Sequence, residues 1–229
     1  MAIAKLIRIP LLVALCLSSL GTLIKILWLD QSISTRETIS IFSEEIALSG
    51  WRFRDVQPLL DAAGEPLTEK NPAELLAAGT YIYQQDDYHL KIDMHYLIHL
   101  DPNLRNLMLK YEKETPKTPF ISTIQENEFG SYSLFTEQDN AYLSSCINPR
   151  GETTVTAAQF TQNRYTYDLK VDRLIPILLG QTTLQDARCL WVHMTLPINP
   201  KQSQEETFQT LETTWADWYE TWQPRFPDD

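Results

Sequence analysis

The stretch LKIDMHYLIH, residues 90–99, decides the fold. Apolar side chains occupy every even-numbered position from 90 to 98, and mostly polar ones stand between them. A period of two is typical of a strand with one face in the core and the other in solvent. We therefore predict a half-buried strand here, with Lys91, Asp93 and His95 on its solvent face.

Further strands are predicted before and after this one, because short segments rich in aromatic and β-branched residues occur at 81–83, 130–135, 141–147 and 189–195. The sequence EQDN at 137–140 suits a hairpin loop. Strands that are separated by short polar turns indicate an antiparallel sheet.

A helix is predicted to close the chain. Ser203 and Glu206 have the spacing of a capping box, in which each side chain caps a backbone N–H of the other residue. Large apolar residues then recur at helical spacing: Phe208, Leu211, Trp215, Trp218 and Trp222. We expect this aromatic face to cover the sheet, and the alternative is that it fills a groove of a partner. The predicted fold class is α+β: an antiparallel β-sheet with a C-terminal amphipathic helix packed on it, preceded by one N-terminal transmembrane helix.

Residues 1–29 differ in composition from the rest of the chain. Lys5 and Arg8 precede an apolar stretch, Ile9 to Leu29, whose only charge is Lys25. At ~1.5 Å per residue a helix of this length spans roughly 31 Å, about the thickness of the hydrocarbon core. We predict a membrane anchor. A cleaved signal peptide is the alternative, but its apolar region is usually shorter and ends at a better cleavage site.

The basic residues before the span predict a cytoplasmic N-terminus. Residues 30–229 are then an extracytoplasmic α+β domain of a single-pass plasma-membrane protein. This domain has a net charge of −14, because the whole chain has −11 and the three charges before Asp30 are all basic. Such an acidic balance argues against a nucleic-acid partner. It also predicts that an anionic bilayer holds the domain off its surface.

Reaction motifs do not identify a chemistry. The seven glycines all lie more than three residues apart, which excludes glycine-rich phosphate loops. His95 and His99 would lie ~13 Å apart on a strand, too far to share one metal ion. We therefore predict no catalytic residue, no cofactor and no metal site.

The two cysteines outside the predicted anchor, Cys146 and Cys189, have three alternative uses. A disulfide is the simplest in an extracytoplasmic compartment, where such bonds persist. Two free buried thiols are the second alternative. The third is a catalytic thiol at Cys146 with His193 as its base, because Cys–His pairs act as nucleophiles in some enzymes.

Arginines surround the cysteine-containing segments: Arg150, Arg164, Arg173 and Arg188. In an acidic domain they are expected to form internal ion pairs, and the alternative is that they bind carboxylates of a partner. If the aromatic face is buried, we expect a partner to bind instead at the strand face of Lys91, Asp93 and His95 or at the loop around Arg150.

Several segments of the C-terminal half resemble the cyanoexosortase A system-associated protein family: SCINPRG at 145–151, TTVT at 153–156, QF at 159–160, NRY at 163–165, LLG at 178–180, DARCLW at 186–191 and WADWYETWQPRFP at 215–227. The N-terminal anchor and Gly50-Trp51 are similar to the same layout. The resemblance spans most of the chain and is most specific from Ser145 onward.

This resemblance implies an accessory protein of a cyanobacterial exosortase system. Exosortases are membrane-embedded enzymes that process proteins with a C-terminal PEP-CTERM sorting signal, often in connection with exopolysaccharide export. The implied partners are an exosortase, PEP-CTERM substrates or polysaccharide. Because the family supplies no catalytic residues to carry over, the expected function is non-enzymatic. The alternatives are an envelope enzyme that uses Cys146 and His193, and a polysaccharide-binding envelope module.

Overall fold

The chain divides into two compact units, Met1–Glu37 and Thr38–Asp229. A computed structural model describes parts of the second unit, namely Phe42, Gly64, Leu67 and residues 45–60, 74–98, 103–111, 123–179, 183–199 and 202–227. The predicted membrane anchor at 1–29 lies outside the described residues. Within these ranges, no helix is both long and apolar enough to span a bilayer.

The described residues form one antiparallel sheet of seven strands together with helices, so the α+β fold class with an antiparallel sheet is confirmed. The strands are β1 Arg52–Pro58, β2 Leu75–Gln85, β3 Tyr88–Leu97, β4 Thr123–Asn127, β5 Gly130–Glu137, β6 Asn140–Ile147 and β7 Cys189–Pro197. The helices are α1 Leu104–Tyr111, α2 Ala157–Tyr167, α3 Val171–Leu178 and α4 Gln204–Trp222, and a short 3-10 turn follows at Gln223–Arg225.

The sheet consists of two three-stranded meanders that β7 joins. Its order is β1-β2-β3-β7-β6-β5-β4, so the last strand of the chain lies at the centre. Turns connect β2 to β3, β4 to β5 and β5 to β6, and the predicted hairpin at 137–140 is observed with Glu137 paired to Asn140. Gln138 has φ +52° in this turn, and Asp86 has φ +49° in the β2–β3 turn.

Helix α4 covers one face of the sheet, which we call the helix face. Its N-terminus has the predicted capping box, with Ser203 and Glu206 each capping the other's backbone N–H. Trp215 and Trp218 are fully buried, Trp222 nearly so, and the Trp218 ring meets Tyr81 edge-on at 5.0 Å. The prediction that the aromatic face of this helix packs on the sheet is confirmed.

The opposite face, which we call the cleft face, corrects the prediction of a half-buried β3. Asp93 and His95 were expected in solvent, yet their residues are only 1% and 0% exposed. Helix α1 covers this face, and its Tyr111 ring lies 5.4 Å from the ring of His95. Because β3 lies next to the central strand, both of its faces are covered, and of the three residues only Lys91 remains well exposed.

Candidate functional site

A cleft of about 420 Å³ opens on the cleft face of the sheet. Strands β2, β3, β5, β6 and β7 form its floor, while the end of β1, the chain after it and helix α1 form its rim. Its lining mixes charged, hydroxyl-bearing and apolar side chains: Gln57, Pro58, Leu59, Leu60, Thr80, Lys91, Asp93, Met108, Tyr111, Phe135, Glu137, Tyr142, His193 and Thr195. A concave site with a few polar groups among apolar ones is the usual form of a small-ligand site.

Asp93 is the buried charge of this cleft. The hydroxyl of Thr80 donates to its Oδ1 at 2.5 Å, and the Lys91 ammonium donates to its Oδ2 at 2.6 Å. A buried carboxylate is tolerated only when such partners replace its lost hydration. The Lys91 side chain is 49% exposed, so the ion pair reaches from the floor of the cleft to solvent.

His193 lies beside Asp93, because β3 and β7 pair the two residues directly. Burial lowers the pKa of His193 to about 4, and this effect outweighs the opposing attraction of the Asp93 carboxylate. The imidazole is therefore neutral at neutral pH. Among the described residues its Nδ1 has no hydrogen-bond partner.

Aromatic rings continue from His193 toward β5. The Tyr142 ring stacks on the His193 ring at 5.3 Å, and the Phe135 ring stacks on Tyr142 at 4.9 Å with an interplanar angle of 8°. Tyr142 is half-buried, whereas Phe135 is nearly fully buried. Phe135 also stacks with His193 at 6.0 Å, so the three rings form a compact cluster at the side of the cleft next to the charged pair.

His95 lies two residues beyond Asp93 on β3 and therefore on the same face of the sheet. Its ring stacks on Trp191 at 4.4 Å, and neither of its nitrogens has a hydrogen-bond partner within the described part of the chain. Burial lowers its pKa to about 3, with further lowering by His193 and Lys91. His95 is therefore a neutral core residue. Its predicted place on an accessible binding surface is wrong, because α1 and Trp191 cover it.

Arg150 belongs to an internal ion-pair cluster, away from the cleft lining. Its guanidinium lies 3.2 Å from Asp186 and 3.5 Å from Asp168, two carboxylates that are almost fully buried. Arg173 forms a second salt bridge with Asp168, and Arg188 forms a second salt bridge with Asp186. Burial alone would raise the pKa of Asp186, but hydrogen bonds and attraction from Arg188 and Arg150 lower it. The expected internal ion pairs are observed for these arginines.

The loop of Arg150 needs a glycine next to it. Gly151 has φ +76°, and a Cβ there would lie 2.2 Å from the Tyr167 ring and 2.4 Å from Asn163 Oδ1. Asn163 also accepts from the backbone N–H of Glu152 and donates to the carbonyl of Arg150. Residues 145–151 and 163–165, two of the segments that carry the family resemblance, thus contact each other. This packing holds the Arg150 guanidinium beside Asp168 and Asp186.

A disulfide joins Cys146 to Cys189, with the Cα atoms 5.7 Å apart. Both residues are buried on the cleft face, next to Trp191. The register places Cys146 opposite Trp191 and His193 opposite Ser144, so the two residues of the catalytic alternative are not paired. In this structure Cys146 offers no thiolate to act as a nucleophile.

The described residues contain no group of three or more histidine, cysteine or carboxylate side chains that could hold an ion. His99 lies outside the described residues, and His89 is exposed on the turn side of β3.

Sequence reasoning missed most of the cleft. It named Lys91 and Asp93, but it did not place Thr80, Tyr142 or His193 beside them. One signal was available in the sequence. Tyr142 and His193 each alternate with buried apolar residues of their own strand, so each points to the face opposite those residues. The register of β3, β7 and β6 then places both on the same face as Asp93. The chain matches no protein-family model, no characterised protein and no solved structure at a significant level.

Proposed function

We propose that this protein is a non-enzymatic accessory protein of an exosortase system, anchored in the plasma membrane by residues 1–29 with its α+β domain outside. We further propose that it works by binding a ligand in the cleft. The family resemblance of the C-terminal half is the reason for proposing an exosortase system, and the cleft is the reason for proposing that the protein binds a ligand.

The observation that carries the binding proposal is that fixed polar groups lie beside a cluster of stacked aromatic rings. Thr80 and Lys91 hold Asp93 in one orientation, and Tyr142 stacks against His193 beside it. Groups that are ordered before a ligand arrives lower the cost of binding it. The arrangement therefore favours recognition of a compact ligand that has both a hydroxyl edge and an apolar face.

A saccharide unit has this chemistry. Its hydroxyls can donate to the Asp93 carboxylate and accept from Lys91, and its C–H face can lie on the Tyr142 ring. A sorting-signal peptide with Pro-Glu-Pro suits the cleft less well, because Glu137 and Asp93 both line it and would repel the peptide glutamate. We therefore favour polysaccharide over a PEP-CTERM substrate as the ligand.

The envelope-enzyme alternative is weaker on this geometry. It required a thiolate at Cys146, which is bonded to Cys189 and does not line the cleft. The Asp93 carboxylate accepts hydrogen bonds from Thr80 and Lys91 and can still accept from ligand hydroxyls.

Binding is tested by calorimetric titration of the full chain in nanodiscs with a β-1,4-linked glucose hexamer and, separately, with a Pro-Glu-Pro peptide. We expect the hexamer to bind, and Tyr142→Ala to weaken it about tenfold, which corresponds to about 1.4 kcal/mol. Tyr165→Ala is the matched control, since Tyr165 is an exposed ring outside the cleft. Binding of the peptide alone would overturn the saccharide assignment.

The accessory role is tested by crosslinking in native membranes followed by purification of this protein. A multi-span exosortase should be recovered in the crosslinked fraction. Recovery of this protein without any exosortase, in cells that contain both, would overturn the proposed system.

A further inference from the structure

His193 lines the cleft with hydrogen-bonding groups that the described residues do not use. The residue is only 3% exposed, yet it belongs to the lining. Its Nδ1 is buried and has no partner among the described residues, while its Nε2, which has none there either, keeps access to the cleft. Buried polar side-chain atoms are nearly always hydrogen-bonded in folded proteins, so this ring calls for an explanation.

An unpaired histidine nitrogen does not mark a site by itself, and His95 shows why. Both nitrogens of His95 lack partners in the described part of the chain, but the residue is fully buried and does not line the cleft. The two histidines lie on the same face of the sheet, on the neighbouring strands β3 and β7. They differ in access, because a ligand in the cleft can reach His193 and cannot reach His95.

Neighbouring aromatic rings hold the His193 ring in place. Along β7 it lies between Trp191 and Thr195, and β6 places Tyr142 opposite Thr195. The Tyr142 ring stacks on the imidazole at 5.3 Å, and the Trp191 ring lies 6.0 Å from it. Because rings flank the imidazole in both directions along the strand, a ligand meets it at its edge, where the nitrogens are.

The protonation state of His193 gives this edge its chemistry. Burial lowers its pKa to about 4, so the ring is neutral, with a proton on one nitrogen and a lone pair on the other. A buried N–H without an acceptor is rarer in folded proteins than an acceptor without a donor. Since Nδ1 is the buried nitrogen, we assign the proton to Nε2. His193 is then a hydrogen-bond donor toward the cleft.

Asp93 supplies an acceptor directly beside this donor. Strands β3 and β7 pair Asp93 with His193, which puts their Cβ atoms about 5 Å apart. The carboxylate accepts from Thr80 and Lys91, and a carboxylate can accept about four hydrogen bonds in all. A donor and an acceptor that stand side by side match two hydroxyls on neighbouring carbons, of which one accepts and the other donates.

We propose that His193 contacts the ligand and that the cleft recognises a vicinal diol of a sugar unit. The Nε2–H of His193 donates to one hydroxyl, and the Asp93 carboxylate accepts from the next. This inference rests on the proposed function and deepens it, because it names a further specificity-determining residue and the group of the saccharide that the residue recognises.

Calorimetric titration of the full chain in nanodiscs with the β-1,4-linked glucose hexamer tests the residue. His193→Phe keeps an aromatic ring in the stack but removes both nitrogens, and we expect it to weaken binding about tenfold. His95→Phe is the matched control, since it makes the same substitution on the same face of the sheet but outside the cleft lining, and it should leave the affinity unchanged.

Two amide variants keep the test decisive if His193→Phe does not fold. The amide N–H of His193→Gln can stand where the Nε2–H stood, so this variant should recover most of the affinity that His193→Phe loses. The shorter amide of His193→Asn cannot reach that position, so this variant should bind as weakly as His193→Phe. Equal affinity of the Gln and Asn variants would contradict a hydrogen bond from Nε2.

The diol is tested with a second probe of the same size. A β-1,3-linked glucose hexamer has vicinal hydroxyls only at its two end units, whereas the β-1,4-linked hexamer has them on every unit. We expect the wild type to bind the β-1,3-linked hexamer several-fold more weakly. His193→Phe should bind the two hexamers with similar affinities, because the donor that distinguishes them is gone. A purely structural role of His193 would leave the preference intact.

The outcomes separate this inference from the proposed function. If the β-1,4-linked hexamer binds the wild type and His193→Phe equally well, His193 is not a ligand contact, while saccharide binding stands. If His193→Phe binds more weakly but keeps the wild-type preference between the hexamers, recognition of the diol is overturned. If neither hexamer binds the wild type, the saccharide assignment of the proposed function itself fails.

Discussion

The two faces of the sheet are covered in different ways. On the helix face the buried residues are apolar and aromatic, and Trp215 and Trp218 of α4 dominate the contact. On the cleft face the buried layer includes the ionisable residues Asp93, His95 and His193, together with a disulfide. The helix face therefore stabilises the fold through apolar contacts that neither titrate nor oxidise, whereas the stability of the cleft face depends on pH and redox state.

Removal of an indole from the helix face should have the largest effect. Trp215→Ala should lower the free energy of unfolding by about 3–5 kcal/mol, because a fully buried side chain leaves a cavity. Urea unfolding of the full chain in nanodiscs, followed by fluorescence, measures it. Glu220→Ala on the exposed side of α4 is the control and should change the value by less than about 0.5 kcal/mol. An unchanged midpoint for Trp215→Ala would mean that α4 is not packed on the sheet.

Reduction of the disulfide should weaken the cleft face. The bond closes a separation of 43 residues, so the double variant Cys146→Ser and Cys189→Ser should lose about 2–4 kcal/mol. Unfolding with and without dithiothreitol measures the same difference in the native sequence. Cys16→Ser should leave the value unchanged. Three reactive thiols in the denatured, unreduced chain would contradict the pairing.

The buried histidines should make stability depend on pH. Folding lowers the pKa of His95 to about 3 and of His193 to about 4, from an ordinary value of 6.5. At pH 5 both are protonated in the unfolded chain and neutral in the folded one. Because the unfolded state then binds more protons, the free energy of unfolding falls by about 2 kcal/mol per histidine between pH 7 and pH 5.

His95→Phe separates this effect from the titration of carboxylates. The substitution should remove about 2 kcal/mol of the loss between pH 7 and pH 5, and the stability at pH 7 should be unchanged or higher because two buried nitrogens without partners disappear. His89→Gln, at an exposed position of the same strand, should leave the pH profile as it is. A profile of His95→Phe that coincides with the wild type would place the pH dependence elsewhere.

The smallest effect concerns the cleft ion pair. Lys91→Gln should cost about 1 kcal/mol, because its partner Asp93 is buried but keeps the hydrogen bond from Thr80. Lys110→Gln is the matched control, since Lys110 pairs with Glu74 at the surface, where both side chains are well exposed. We expect the control to cost less than the cleft variant in the same urea titration. Equal costs would show that burial of Asp93 does not strengthen its pair.

The sequence predicted the helix face better than the cleft face, for a physical reason. Helix α4 follows from local signals, since a capping box and a 3–4 spacing of tryptophans lie within 20 consecutive residues. The alternation in β3 correctly placed Ile92 and Met94 inside, but alternation does not tell whether the other face is also covered. That depended on α1, which the sequence analysis did not predict.

The cleft itself depends on contacts between distant segments. Asp93 and His193 are neighbours only because β7 pairs with β3 across a hundred residues of sequence. No local pattern sets that register, which follows from the way the whole sheet packs. The exposed apolar side of α3 was not predicted either, since an apolar stretch at 174–179 does not indicate whether another segment covers it.

The central position of β7 has a consequence for the order in which the protein can fold. Both meanders, β1-β2-β3 and β4-β5-β6, are synthesised before residues 189–197. Until β7 is available, β3 and β6 therefore each have an edge without the strand that pairs with it in the folded protein. Open strand edges are templates for association with other chains. The nascent protein is therefore most prone to aggregation just before its last strand emerges, and a truncation that removes β7 should leave two separate half-sheets that aggregate rather than a smaller stable domain.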